Sequence, residues 1–545
     1  MYIEMLRSAT RCRCMITLLV IASSLSVRAS DACSPSPIAI RIGNVTLANH
    51  QVARGAAIHV GDPPQAFAFL PQWPYNTSFV YGIDGHCTFK RDAPTRDGCT
   101  TIRGGAYDAF ASKTRQTAYP DDFQTENAPF PETSFAADNL KINEDLTLAE
   151  FPLGVALNDW GAEGYHPMAS IGLGTNSTFL NKLQESGKIA SRTWSFFWGR
   201  NGGSSTSQMD GSLVLGGYDR AKLSSGERYL ETLQNSTSPC ATQMIVTITD
   251  MVLNFPNGTD VSIFPGSLST ALRACIVPDY PVLMTLPTEP FVNNFFELTG
   301  GAGDHERSFG INYFALRYSA DEKRYDGDMT IKFQSGLAVR VPNDQLVVPD
   351  IDINPTTGEL IANYTNPDLV INGIQNINAN DMPQLGRQFL SSAYLMVNQD
   401  AGQFSLWAAN PATGEDLVAV DANNADITAP CASSAPTIID SSSSTPSPEH
   451  ASSSSAGTIT GAVVGSVGGL VILATLAFWL IKRRREKLQK ASEKTAGGMH
   501  FYTGAEAFQQ PEPGIKPELP DSSFLVPAEL EHPARQNAAP YELAS

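Results

Sequence analysis

The sequence predicts a large all-β exterior joined to one membrane-spanning helix near its C-terminus. Three observations predict this. Between residues 31 and 431, short strand-like runs such as Ile38 to Ile42, Ser212 to Leu215, Met244 to Ile248 and Met329 to Phe333 are punctuated by Gly, Asn, Asp and Pro. Helical periodicity is scarce across the same stretch, apart from a short segment around Ser177 to Glu185. From Gly457 to Ile481 the chain is apolar or small and carries no charge. That run is long enough to cross roughly 30 Å of hydrocarbon as a helix.

The two ends give the chain its expected topology. Arg7, Arg11 and Arg13 form a basic segment, Met15 to Leu25 a short apolar one, and Val27-Arg28-Ala29 a cleavage site with small side chains. Together they read as a signal peptide over residues 1–29, too short in its apolar part to span a bilayer. At the other end, Lys482-Arg483-Arg484-Arg485 follows the apolar run at once. The positive-inside rule places those cations in the cytoplasm, so the expectation is a single-pass type I protein of the cell membrane. Gly457, Gly461, Gly465 and Gly469 recur every fourth residue and give the anchor one smooth face for homo-association. Residues 432–456 are rich in Ser, Thr and Pro and read as an extended, glycosylated stalk. Residues 482–545 are polar and Pro-rich without periodicity, as a disordered cytoplasmic tail would be.

The composition narrows the chemistry. Charged residues make up 17% of the chain and the formal net charge is −18, which argues against nucleic acid as a partner. Cys12 and Cys14 fall in the signal, leaving Cys33, Cys87, Cys99, Cys240, Cys275 and Cys431 for an oxidising compartment. Six cysteines allow fifteen pairings. The favoured set is Cys87–Cys99 as a local closure, Cys33–Cys431 tying the two ends, and Cys240–Cys275 within the second half. No cysteine has zinc-like spacing, so no metal is expected. Asn-x-Ser/Thr acceptors at Asn44, Asn76, Asn176, Asn235, Asn257 and Asn363 predict a glycoprotein. No G-x-S-x-G elbow, H-E-x-x-H helix or phosphate-cradling loop occurs, and no cofactor is expected. His59, His86, His166 and His305 are scattered, as packing or surface histidines are.

Several segments resemble landmarks of the pepsin-type aspartic protease family, in particular its fungal membrane-anchored members. Ile58-His59-Val60-Gly61-Asp62-Pro63-Pro64-Gln65-Ala66-Phe67 is similar to the family's I-x-V-G-T-P-P-Q-x-F strand and turn. Ile171-Gly172-Leu173-Gly174 resembles the hydrophobic-Gly element behind the first active-site loop. Asp210 to Asp219 resembles the strand that closes the first lobe. Leu385-Gly386 with Phe389-Leu390, Tyr394 and Val397 resembles the second-lobe L-G-x-x-F-L-x-x-x-Y element, and Gln403 to Ala408 the closing strand. The resemblance implies a bilobal fold of two β-barrel-like lobes within a peptidase-like domain at residues 38–430, the lobes at about 38–220 and 240–430.

The same resemblance implies where catalysis should sit. Counting on from Pro63-Pro64-Gln65 brings the family's first Asp-Thr-Gly-Ser motif to Gln72-Trp73-Pro74-Tyr75, in a register supported by Phe79-Val80. In the second half, Cys275-Ile276-Val277 leads into the matching loop and Leu283 to Pro287 leads out, so Pro278-Asp279-Tyr280 lies over Asp-Thr-Gly. Gln72 and Pro278 then stand in place of the two aspartates. The family's mechanism needs two carboxylates that share one proton around a water, and neither glutamine nor proline supplies one. Asp279, one residue on, is the residual acid. It would face Gln72 and not a second carboxylate. Trp73, Tyr75 and Tyr280 are candidates for lining a cleft, although such aromatics also fill space where small residues are lost.

Three functions follow as expectations. The first is a catalytically inactive, membrane-anchored pseudoprotease whose cleft binds an extended peptide or glycan. The second is a cell-surface or wall sensor that signals through its cytoplasmic tail. The third is an active endopeptidase despite the altered motifs.

Overall fold

Strands account for 44% of the structure and helices for 12%, so the chain is mostly β. In this computed structural model the described residues are 33–428 except 74, 88–93, 120–121, 125, 127–131, 158–167, 203–207, 225–227, 236–238, 265, 267–270 and 302–304. They all belong to one compact unit, Met1–Thr437. The expected signal, stalk, anchor and tail lie outside the described residues, as do Pro74, His166 and Cys431. Among the described residues, no helix is long and apolar enough to cross a membrane.

The predicted strand runs fall within strands, at Ile38–Thr46, Met209–Leu215, Ile245–Asn254 and Asp328–Phe333, except that Met244 lies one residue ahead of its strand. The predicted helix is Thr178–Glu185. Ser177 caps it, its hydroxyl accepting the Leu180 N–H at 3.1 Å, which satisfies one of the orphan donors of the first turn. The helix buries Phe179, Leu180 and Leu183 on one face.

The two halves of the chain meet in a shared antiparallel ribbon within a 13-stranded sheet. Its strands run in the order Tyr229–Thr232, Gln403–Ala408, Ala393–Asn398, Thr193–Arg200, Met209–Leu215, Ile38–Thr46. The central pairing, Leu395 against Phe196 and Val397 against Trp194, joins a strand from the C-terminal half to one from the N-terminal half. Seven of the eight residues of Thr193–Arg200 are buried, as expected of a strand covered on both faces.

A strand–loop–strand unit occurs twice. In the first half, Gln65–Gln72 runs parallel to Ser170–Gly172, and Ser170–Gly172 runs antiparallel to Phe79–Tyr81. In the second, Leu272–Ile276 runs parallel to Gln384–Leu385, which runs antiparallel to Met284–Pro287. Each exit strand also has an outer parallel neighbour, Thr147–Ala156 for Phe79–Tyr81 and Ile371–Ile374 for Met284–Pro287. Gly172 and Gly386 occupy matching places behind the two loops. A Cβ on Gly172 would lie 2.7 Å from the Thr77 carbonyl oxygen, and one on Gly386 2.2 Å from that of Val282. Only glycine lets the loop backbone pass so closely.

Two disulfides of the favoured set are present, Cys87–Cys99 and Cys240–Cys275. Cys33 is also disulfide-bonded, its partner lying outside the described residues.

Candidate functional site

The two matching loops converge. Gln72 ends its strand buried, 2% exposed, because parallel pairing with Gly172 holds it against the neighbouring strand. Its amide oxygen accepts the Ser170 hydroxyl at 2.9 Å, and its Nε2 donates to Asp279 Oδ2 at 3.2 Å. One side chain therefore bridges the first loop to the second.

The register of the second loop differs from the one read from sequence. Leu70 N donates to the Ala169 carbonyl, and Cys275 N donates to that of Pro383. With Pro71 beside Ile171 and Ile276 beside Leu385, the counterpart of Gln72 is Val277, and not Pro278. Counting back from Leu283 gives Pro278 because the second loop is one residue longer than the first. Val277 N donates to the Leu385 carbonyl, and Tyr280 N closes a turn onto Val277. That turn takes up the extra residue and delivers the Asp279 carboxyl to Gln72.

Asp279 is mostly buried but keeps some solvent contact. Burial pushes its carboxyl up to about 6, while its own backbone N–H, the Arg387 charge and the Gln72 amide act in the opposite direction. Arg387 donates from Nη1 to the Asp279 carbonyl at 3.4 Å and from Nη2 to the Ile311 carbonyl at 2.9 Å. Its guanidinium lies 5.2 Å from the centre of the Trp198 ring, and that of Arg54 lies 5.3 Å from the same ring. Burial lowers both arginines to about 10, and the Arg54 charge adds to the lowering of Arg387. The indole ring attracts both cations and offsets part of the cost of their burial.

The rest of the first loop is structural. Trp73 is 2% exposed and packs on Trp194 with ring centres 6.2 Å apart, so it fills the core and does not line an open cleft. Tyr75 is also buried, its phenol pushed up by burial and then by the charges of Asp279 and Glu126. Tyr280 keeps partial exposure, and its hydroxyl accepts from Asn372 Nδ2 at 2.8 Å. Asn76 is fully buried and its side-chain oxygen accepts the Asn176 N–H at 2.9 Å, leaving no room for a glycan on the folded chain. The other acceptors are on the surface: Asn44, Asn176, Asn235 and Asn257 exposed, Asn363 partly so.

Sequence reasoning missed Glu126. Its carboxylate accepts the Asn76 N–H at 2.8 Å and the Thr77 N–H at 2.7 Å. Burial raises its pKa against those bonds. It also missed Arg54 and Arg387, because nothing local marks residues brought together on an indole by the fold. His59, His86 and His305 stand apart, the last stacked on Phe296 at 3.8 Å.

The site joins a carboxyl and a carboxamide by a direct hydrogen bond between the two loops. It cannot share a proton between two acids, since the Gln72 amide takes none up at ordinary pH. A surface cavity of about 500 Å³ lies elsewhere, lined by Asn49, Gln65, Arg96, Asp97 and Asp108 among others. No family model matches the chain, and no curated protein matches it.

Proposed function

We propose that the chain is a membrane-anchored extracellular glycoprotein with a pepsin-type fold, lobes at about 38–220 and 240–430, whose cleft binds extended peptide without cutting it. The observation that carries this reading is the Gln72 amide bonded to the Asp279 carboxylate, at the meeting point of two matching loops. The twofold strand–loop–strand unit and the shared central ribbon support the bilobal part of it. A general acid–base group contributes roughly 10²–10⁴-fold, and a dyad acts as a unit, so one carboxyl beside an amide forfeits the family's hydrolysis. Scaffolds of this kind hold ligands by strand-like backbone pairing, which survives the loss of an acid. On this reading the anchor is the 457–481 helix, the stalk is 432–456, and the exterior faces out of the cell.

The test is selection of a random peptide library on the full chain in detergent micelles at pH 5. Enriched peptides should be recovered intact, and Gln72→Leu or Asp279→Asn should weaken them. Failure of any peptide to enrich, or equal binding to both variants, would refute the cleft as a peptide site.

A further inference from the structure

We propose that residues 308–315 form a wall of this cleft whose position is set by one proton, held on a buried Asp350–Asp368 pair that shares a single arginine. The inference rests on the peptide-binding reading for its purpose, but not for its mechanism. Asp350 and Asp368 lie on neighbouring antiparallel strands, Val347–Ile353 and Leu360–Leu369, with Val348 opposite Asp368. Asp368 is fully buried and Asp350 nearly so. The cation facing both is Arg317, on the next strand. Its Nη2 is 2.9 Å from Asp350 Oδ2, while its Nε stands 4.0 Å from Asp368 Oδ1. Those last two atoms are buried and have no hydrogen-bond partner. Glu306, exposed, also draws on Arg317, at 3.8 Å from Nη1. One guanidinium thus serves three acids, two of them buried, where an unpaired charge is expensive.

A proton on the pair removes the conflict. Burial, followed by the charge of Asp350, pushes Asp368 up to about 8, in agreement with that placement.

The pair also holds the loop. Ser308 Oγ donates to Asp350 Oδ1 at 2.7 Å, and Asn312 Nδ2 donates to Asp368 Oδ2 at 3.1 Å. Between them, the Ile311 carbonyl accepts from Arg387, the same arginine that donates to the Asp279 carbonyl. The loop carries Phe309, 56% exposed, beside Tyr313 and Phe314, with Tyr313 and Phe314 ring centres 4.6 Å apart. A shift in the two carboxylates therefore reaches both an exposed aromatic and the Asp279 loop.

The sign follows from linkage. The folded pair holds a proton that an unfolded aspartate releases near about 3.9. Its stabilising contribution is whole below that pH and is lost as pH rises toward about 8. The wall is locked in acid and loosens in mild alkali.

Hydrogen exchange of the full chain in detergent, corrected for intrinsic rates and followed from pH 5 to pH 9, tests this. In the wild type, protection of amides 308–315 should fall with pH, by about tenfold per unit at most for one linked proton. Peptides from Thr193–Arg200 should hold steady. Asp368→Asn should make loop protection independent of pH, and Asp350→Asn should do the same if the first variant fails to fold. Loop protection that is flat in the wild type, or that falls equally in a folded variant, would overturn the proposal. The readout involves no ligand, so its failure is separable from failure of the cleft to bind peptide.

Discussion

Replacing Gln72 by Glu would rebuild an acid pair where the structure has a carboxyl and an amide, at nearly constant shape. The Gln72 Nε2 to Asp279 Oδ2 separation is 3.2 Å. Two full charges at that distance repel by about 5 kcal/mol at an effective dielectric of about 20, so both cannot be ionised near neutrality. Above about 6, where Asp279 of the wild type gives up its proton, the folded variant must then carry one more proton than the wild type, while the unfolded glutamate has already released its own near about 4.3. From about pH 6 upward the variant should lose about 1.4 kcal/mol per pH unit relative to wild type, reaching about 3 kcal/mol at pH 8. Between about pH 5 and pH 6 the difference should be nearly constant. Urea unfolding of the full chain at a series of pH values, with disulfides intact, measures the difference. Gln72→Leu, which adds no charge, should show an offset that does not vary with pH between 4 and 5. A Gln72→Glu offset that is flat from pH 4 to pH 8 would refute the contact between the two loops.

Substitutions at Asn76, Asn44 and Arg387 separate structural from electrostatic roles. Asn76→Ala should cost about 1–3 kcal/mol by leaving the Asn176 N–H without its acceptor, read by the same urea titration. The mass of the full chain should be unchanged by Asn76→Gln beyond the substitution itself, whereas exposed Asn44→Gln should remove a whole glycan. Arg387→Met should move the Asp279 titration above about 6, because the guanidinium favours the carboxylate form. The ¹³C shift of the Asp279 carboxyl reports it, and a downward or absent shift would contradict the pairing.

Much of the scaffold was legible because local rules govern it. Ser177 ahead of Phe179, Leu180 and Leu183 is a cap followed by an apolar face, and the structure starts the helix at Thr178. Cys87 and Cys99 are separated by 12 residues, short enough to read as a local closure. The meeting of Asp279 with Gln72 was also foreseen, since any shift of that acid into the loop leads it there. The register behind it was not. Both flanks of the second loop point to Pro278 in the sequence, and only the pairing of Ile276 with Leu385 reveals the additional residue. Trp73 was ambiguous for another reason: an aromatic replacing a small loop residue can face solvent or core, and Trp194, which decides it, is remote in sequence. The Arg54–Trp198–Arg387 stack and the Glu126 bonds to the first loop have no sequence signal, because each joins residues brought together only by the fold.

The central claim, that a carboxyl paired with an amide leaves a cleft without peptidase chemistry, is tested most directly by digestion. Full chain in detergent is incubated with a random peptide library from pH 3 to pH 6, with and without pepstatin, and the products are read by mass spectrometry. The account predicts that no cleavage is sensitive to pepstatin, from protein that still shows cooperative unfolding. Cleavage that pepstatin blocks and Asp279→Asn abolishes would contradict it, and would make Asp279 a working catalytic acid with Gln72 as its partner.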